Sequence, residues 1–140
     1  MPTTNLQLAG CIITNDEGNL LLIHRSTDKC QQWEIPGGKV EAGEAPAETA
    51  EREIKEELGL LVHAGRLLGN REFIEDGRIM SYSWYQAAIL CGEPTIMEPG
   101  THDDWRYFSV AELAVIRNTL SPNLLNFLDH LATAPVMFAR

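Results

Sequence analysis

Positive charge is scarce in this chain: 11 Lys and Arg stand against 20 Asp and Glu, a formal net charge of -9 over 140 residues. That balance argues against a general nucleic-acid-binding surface. Much of the negative charge falls between Glu41 and Glu57, so an anionic substrate would need a cation to bridge it to this region. Cysteine is also sparse, with Cys11, Cys30 and Cys91 at scattered spacings. An odd, scattered set argues against a disulfide framework or a zinc site and predicts reduced thiols in a cytosolic protein. No apolar run is long enough to cross a bilayer, and the first residues lack the basic-then-apolar pattern of a signal segment. The expectation is a cytoplasmic protein with no membrane and no nucleic-acid polymer as partner. Repeats, low-complexity tracts and linkers are absent, and the length suits one domain over residues 1–140.

What is present reads as alternating strands and helices. Residues 6–14 are apolar and β-rich, residues 15–19 form a turn cluster, and residues 20–24 continue as a strand, which predicts a hairpin. Residues 26–32 read as polar loop, and Pro36-Gly37-Gly38 breaks any regular element over residues 33–40. A helix is expected from Pro46, because proline fits a first helical turn. Its apolar stripe is Ala47, Ala50, Ile54 and Leu58, and Gly59 stops it. Residues 60–68 and 71–74 read as strands and residues 75–77 as a turn. Residues 78–90, rich in Tyr, Trp and Ile, read as the longest strand. Residues 91–104 are a polar loop, 105–109 a last strand and 110–116 a short helix. The final helix runs over residues 122–132, with Ser121 as N-cap and Leu120 against Leu125 as a hydrophobic staple. This order implies an α/β (α+β) chain, a mixed sheet sandwiched between helices.

The first expected helix carries the chemistry. Glu53, Glu56 and Glu57 fall on one helical face with Arg52 beside them, because positions i, i+3 and i+4 share a face. Three carboxylates on one face repel unless something positive sits among them. Oxygen ligands suit a hard divalent cation, Mg²⁺ or Mn²⁺, and a metal held by carboxylates suits phosphate chemistry. A solvated acidic helix is the plain alternative.

Residues 38–60 resemble the Nudix box at every specified position: Gly38, Glu44, Arg52, Glu53, Ile54, Glu56, Glu57, Gly59 and Leu60. Nine positions at fixed spacing make a specific motif, and they weigh against the solvated helix. The resemblance implies a Nudix fold and hydrolysis of a nucleoside diphosphate linked to another moiety. It implies that Glu53, Glu56 and Glu57 ligate Mg²⁺, with the Gly38 carbonyl as a further ligand. It casts Arg52 as orienting the glutamates and Glu44 as holding the loop and metal-bound waters. Gly37 and Gly38 would let backbone approach the ligand closely.

Residues 33–41, including Lys39, resemble the entry to the box in MutT-type enzymes, which cut oxidised guanine triphosphates to monophosphate and pyrophosphate. Ile35 departs from the aromatic residue usual before the proline. The same resemblance suggests Arg25 as a phosphate-binding arginine, Glu98 as a catalytic or metal-binding glutamate and Asn123 as a base-reading amide. Each also has a plain structural reading. The chain has no proline between Pro46 and Pro94 and carries Asp76 where other branches have tyrosine. These features count against ADP-ribose and dinucleoside polyphosphate branches and leave nucleotide-sugars open. A non-catalytic nucleotide sensor is the alternative from another class, disfavoured by the intact glutamates. Tyr82 and Trp84 share a strand face and read as core aromatics, as does Trp105. His24 and His63 read as sheet residues, and His102-Asp103-Asp104 as a solvated turn. The resemblance implies a small nucleotide as partner and Mg²⁺ or Mn²⁺ as cofactor, and the expected assembly is a monomer or homodimer.

Overall fold

The computed structural model describes residues 5–133. The expectation of one domain over residues 1–140 therefore reaches beyond the described residues at both ends. In chain order the elements are β1 (Asn5–Ile12), β2 (Leu20–Ser26), β3 (Gln31–Glu34), β4 (Gly37–Lys39), α1 (Pro46–Leu58), β5 (Leu61–Glu75), β6 (Arg78–Cys91) and β7 (His102–Phe108). They end with α2 (Val110–Val115), a 3-10 turn at Arg117–Thr119 and α3 (Pro122–Thr133).

Two sheets form. One is mixed, in the order β4-β1-β6-β5, with β1 parallel to β6 and the other pairs antiparallel. The other is an antiparallel set, β3-β2-β7. The expected β1–β2 hairpin is corrected here. Both edges of β1 are taken by β4 and β6, and β1 and β2 meet only past the end of β1, at the Thr14–Leu20 bridge and a Leu21 N–H to Ile13 carbonyl bond. Two further expectations fail. Residues 33–40 carry regular structure, because Pro36 interrupts only the connection between β3 and β4. Residues 61–75 form one continuous bulged strand, one residue longer than β6, because the Asp76-Gly77 turn sets it against β6 along its length.

Alternation along β2 sorts the core into two layers. Leu20 and Leu22 face the cluster that holds Trp84, Phe108, Leu113, Leu124 and Phe127. Leu21 and Ile23 face the cluster built on Ala50, Ile54 and Leu58 of α1. The sheets are thus flanked by α1 on one side and by α2 and α3 on the other. Burial on both faces explains why β2 reads as an unbroken apolar run. Trp105 packs at the edge of the α1 layer.

Both helix starts follow the expected chemistry. Ser121 Oγ accepts from the Leu124 N–H at 3.1 Å, capping α3, and Leu120 and Leu125 join the same apolar cluster. At α1 the N-cap is Ala45, which has no side-chain acceptor; Glu48 instead takes the Ala45 N–H at 2.8 Å. Gly59 ends α1 with φ of 70°, a left-handed conformation costly for any residue with a Cβ.

Candidate active site

The apolar stripe of α1 is packed so tightly against the sheet that its other face is set in rotation. Ala50, Ile54 and Leu58 have no exposed surface. With that stripe fixed, Arg52, Glu53, Glu56 and Glu57 project along the side that meets β4. Arg52 is the hub. Its Nε and Nη2 donate to Glu44 at 2.7 and 3.1 Å, its Nη1 to Glu53 at 2.9 Å and to Glu56 at 3.2 Å, and its Nη2 also to the Lys39 carbonyl at 3.0 Å. These partners hold the guanidinium charged well above its ordinary range. Glu44 further accepts from Thr49 Oγ1 at 2.6 Å and from the Glu41 N–H at 3.2 Å. Donation from Arg52, then from Thr49, lowers its carboxyl to about 2. Glu44 therefore locks Arg52 and the loop entering α1.

Glu57 is 7% exposed and accepts one bond, from the Gly37 N–H at 3.1 Å. Burial, followed by repulsion from Glu53 and Glu34, pushes its carboxyl well above the usual carboxylate range. Glu53 is also raised by burial, against the opposing pull of Arg52. It lies flat on Gly38: a Cβ there would fall 2.5 Å from the Glu53 carboxyl carbon. Only glycine admits this approach. Glu56 is half exposed.

Glu98 lies in the loop after β6. That loop is tied to the end of α1 by Thr95 N–H to the Leu58 carbonyl and Met97 N–H to the Glu57 carbonyl. The Glu98 charge acts on both Glu53 and Glu57, so the fold brings it to the acidic face. The side chain itself is about half exposed.

A cavity of about 390 Å³ opens beside these carboxylates, lined among others by Arg25, Glu34, Gly37, Gly38, Lys39 and Asn123. Its size suits a small organic ligand. A larger groove of about 500 Å³, lined by His63 and Arg66 among others, includes neither Gly37 and Gly38 nor any of the glutamates at 53, 56 and 57, so the smaller cavity is the candidate site. Asn123 is nearly buried, and its Oδ1 accepts from Trp84 Nε1 at 3.0 Å. Indole nitrogen only donates, which fixes the amide orientation and leaves Nδ2 without a partner among the described residues. Arg25 is spent in part on Glu34, through Nε at 2.8 Å and Nη2 at 3.2 Å.

Two residues escaped the sequence reading. Glu34 joins the cavity to the acidic face: it accepts from Arg25 and from Gln32 Nε2 at 2.6 Å, and its charge reaches Glu57. Its signal was the polar pair Gln32 and Glu34, two apart in a strand and so on one face. His102 was expected in a solvated turn. It begins β7 instead, at 2% exposure, because β2 pairs with that stretch through Arg25. Burial, then the Arg25 charge, lowers its imidazole below the ordinary value. Tyr82 and Trp84 are core aromatics, as expected.

Among the described residues no three His, Cys, Asp or Glu side chains stand ready in metal-holding geometry. Glu53 and Glu56 bond to Arg52, and Glu57 to the Gly37 N–H. The donor set still fits a hard cation. Glu57 is a buried carboxylate held against Glu53 with one backbone donor, and all available donors are oxygens.

The chain is similar to known proteins both in sequence and in fold. The chain is 36% identical over 91 residues to an 8-oxo-dGTP diphosphatase of Haemophilus influenzae, covering 64% of this chain and 67% of that protein. It is 33% identical over 102 residues to the 8-oxo-dGTP diphosphatase of Escherichia coli, covering 71% and 78%. A MutT Nudix hydrolase from Burkholderia pseudomallei superposes with a TM-score of 0.77 at 30% identity, over 90% of this chain and 97% of that one. The NUDIX domain model matches residues 5–131. With the box on α1, the flanked sheets and a family match over nearly the whole chain, this protein belongs to the Nudix family.

Proposed function

We propose that the protein is a Mg²⁺-dependent pyrophosphohydrolase that cuts a nucleoside triphosphate to monophosphate and pyrophosphate, with an oxidised guanine nucleotide among its candidate substrates. One observation carries the reading: β4 serves both halves of the site. Gly37 and Gly38 line the cavity, while Gly37 N–H binds Glu57 and Gly38 lies on Glu53. A nucleotide whose base enters that cavity lays its phosphates against the acidic face of α1.

Glu53, Glu56, Glu57 and Glu98, with the Gly38 carbonyl, are the groups that would hold the cation. Mg²⁺, with Mn²⁺ as a substitute, supplies neutralisation of the diphosphate and a bound water of lowered pKa. Arg52 keeps Glu53 and Glu56 aimed along one face, and Glu44 keeps Arg52 in place. Lys39 and Arg25, at the cavity wall, offset phosphate charge. Asn123 presents its Nδ2 donor to an acceptor on the base. Such chemistry depends mainly on positioning and charge stabilisation, which this rigid α1–β4 contact provides. Three free cysteines accord with a reducing, cytoplasmic setting.

The test is incubation with Mg²⁺ and a panel of oxidised dGTP, ordinary triphosphates, ADP-ribose and nucleotide-sugars, with products identified. Monophosphate plus pyrophosphate from a triphosphate is the expected result. Turnover confined to ADP-ribose or sugars would overturn the substrate assignment and keep the box chemistry. Binding without turnover would revive the nucleotide sensor.

A further inference from the structure

His102 is a buried imidazole with neither ring nitrogen bonded to any partner among the described residues. Native chains rarely leave such groups unpaired, and those that remain call for an explanation. Neutral imidazole offers one N–H donor and one acceptor nitrogen. β7 seats the residue between two functional neighbours. Across β2 it pairs with Arg25 at a bulge. Its backbone N–H donates to the Glu98 carbonyl at 2.9 Å, closing the end of the loop over residues 92–101. That turn brings His102 Nδ1 to 4.0 Å from Glu98 Oε1, just beyond hydrogen-bond reach. The Glu98 side chain faces solvent, so a rotation about its own bonds closes the gap. On the other side, Arg25 Nη1 makes no hydrogen bond among the described residues.

We propose that His102 is a positioning residue whose Nδ1–H captures the Glu98 carboxylate when substrate and cation fill the site, pinning it against the acidic face of α1 beside Arg25. The inference rests on Glu98 being a site residue, as read above. His102 keeps its proton throughout and touches no reacting atom. Without it, Glu98 would remain solvent-directed and the loop would contribute backbone alone.

The test uses the full-length protein labelled with ¹⁵N-histidine, with H102Q identifying the His102 ring signals among four histidines. Mg²⁺ is added alone, then with a triphosphate analogue bridged by methylene between its α- and β-phosphorus atoms. A slowly exchanging, downfield Nδ1–H that appears on addition and is absent in E98A is the expected result. Ring signals that stay unmoved, or that move equally in E98A, would overturn the proposal. In kinetics, H102L should lower kcat about tenfold with KM held within about twofold, while H102Q, which restores a donor, should recover most of the loss. Equal losses in both variants with native circular dichroism would mark His102 as packing only and overturn the role. Failure of the wild type to hydrolyse any nucleotide would sink the parent reading, and the ring signals would still decide whether His102 holds Glu98.

Discussion

Asn123 shows what one side chain reveals only in context. In the sequence it is an amide after a proline; in the fold its oxygen is tied to a fully buried Trp84, so its donor end alone meets the cavity. Asn123→Ala should therefore raise KM for purine nucleotides more than for pyrimidine ones, and equal changes in both would remove it from base recognition. Cys11 makes a second case at this scale. Burial, then Glu51 and Glu57, pushes its thiol up to about 12, while Cys91 is exposed. Mass spectrometry after brief alkylation of the native protein should find Cys91 modified and Cys11 untouched; early labelling of Cys11 would mean that the α1 layer opens readily. The box glutamates were legible because a helix converts fixed spacing into a shared face. Glu34 was not, because its bond to Arg25 exists only once β2 and β3 lie side by side, and His102 was not, because its burial follows from pairing with β2, far back along the chain.

At the scale of elements, α1 and the β5–β6 turn could be read from proline, glycine and periodicity. The short strands β3 and β4 could not: three or four residues carry no periodic pattern, and their partners lie on β2 and β1. Yet the α1–β4 contact makes the site. Gly38→Ala should cut turnover at least about tenfold, because the new methyl would displace the Glu53 carboxylate; a crystal structure with Glu53 unmoved and full activity would refute that contact's importance. The loop before α1 has its own signature. Glu44 is depressed from 4.5 to about 2 in the fold, so its stabilisation is complete above the unfolded value and is lost as pH falls through that interval. The Tm gap between wild type and Glu44→Gln should be widest above pH 5 and shrink toward pH 2. A gap independent of pH would show that the carboxylate charge is not what locks Arg52.

Over the whole molecule, the fold sets a carboxylate-rich helix face against a nucleotide-sized cavity and leaves much of the net charge of -9 to be answered by a cation. A mixed sheet between helices was the expectation and is what forms; its separation from a second, antiparallel sheet was not legible, because both edges of β1 are claimed by β4 and β6. The fold also leaves Glu57 poorly compensated, and an enzyme often carries such a cost where its function lies. The proposed role of this buried carboxylate is to hold the cation for diphosphate cleavage. It is tested most directly by comparing wild type and Glu57→Gln for pyrophosphate release at saturating Mg²⁺, with Tm measured in parallel. The expected result is a loss on the order of 10³-fold in turnover with Tm unchanged or higher, because a poorly compensated buried carboxylate has been replaced by a neutral amide. Near-wild-type release from Glu57→Gln would contradict it.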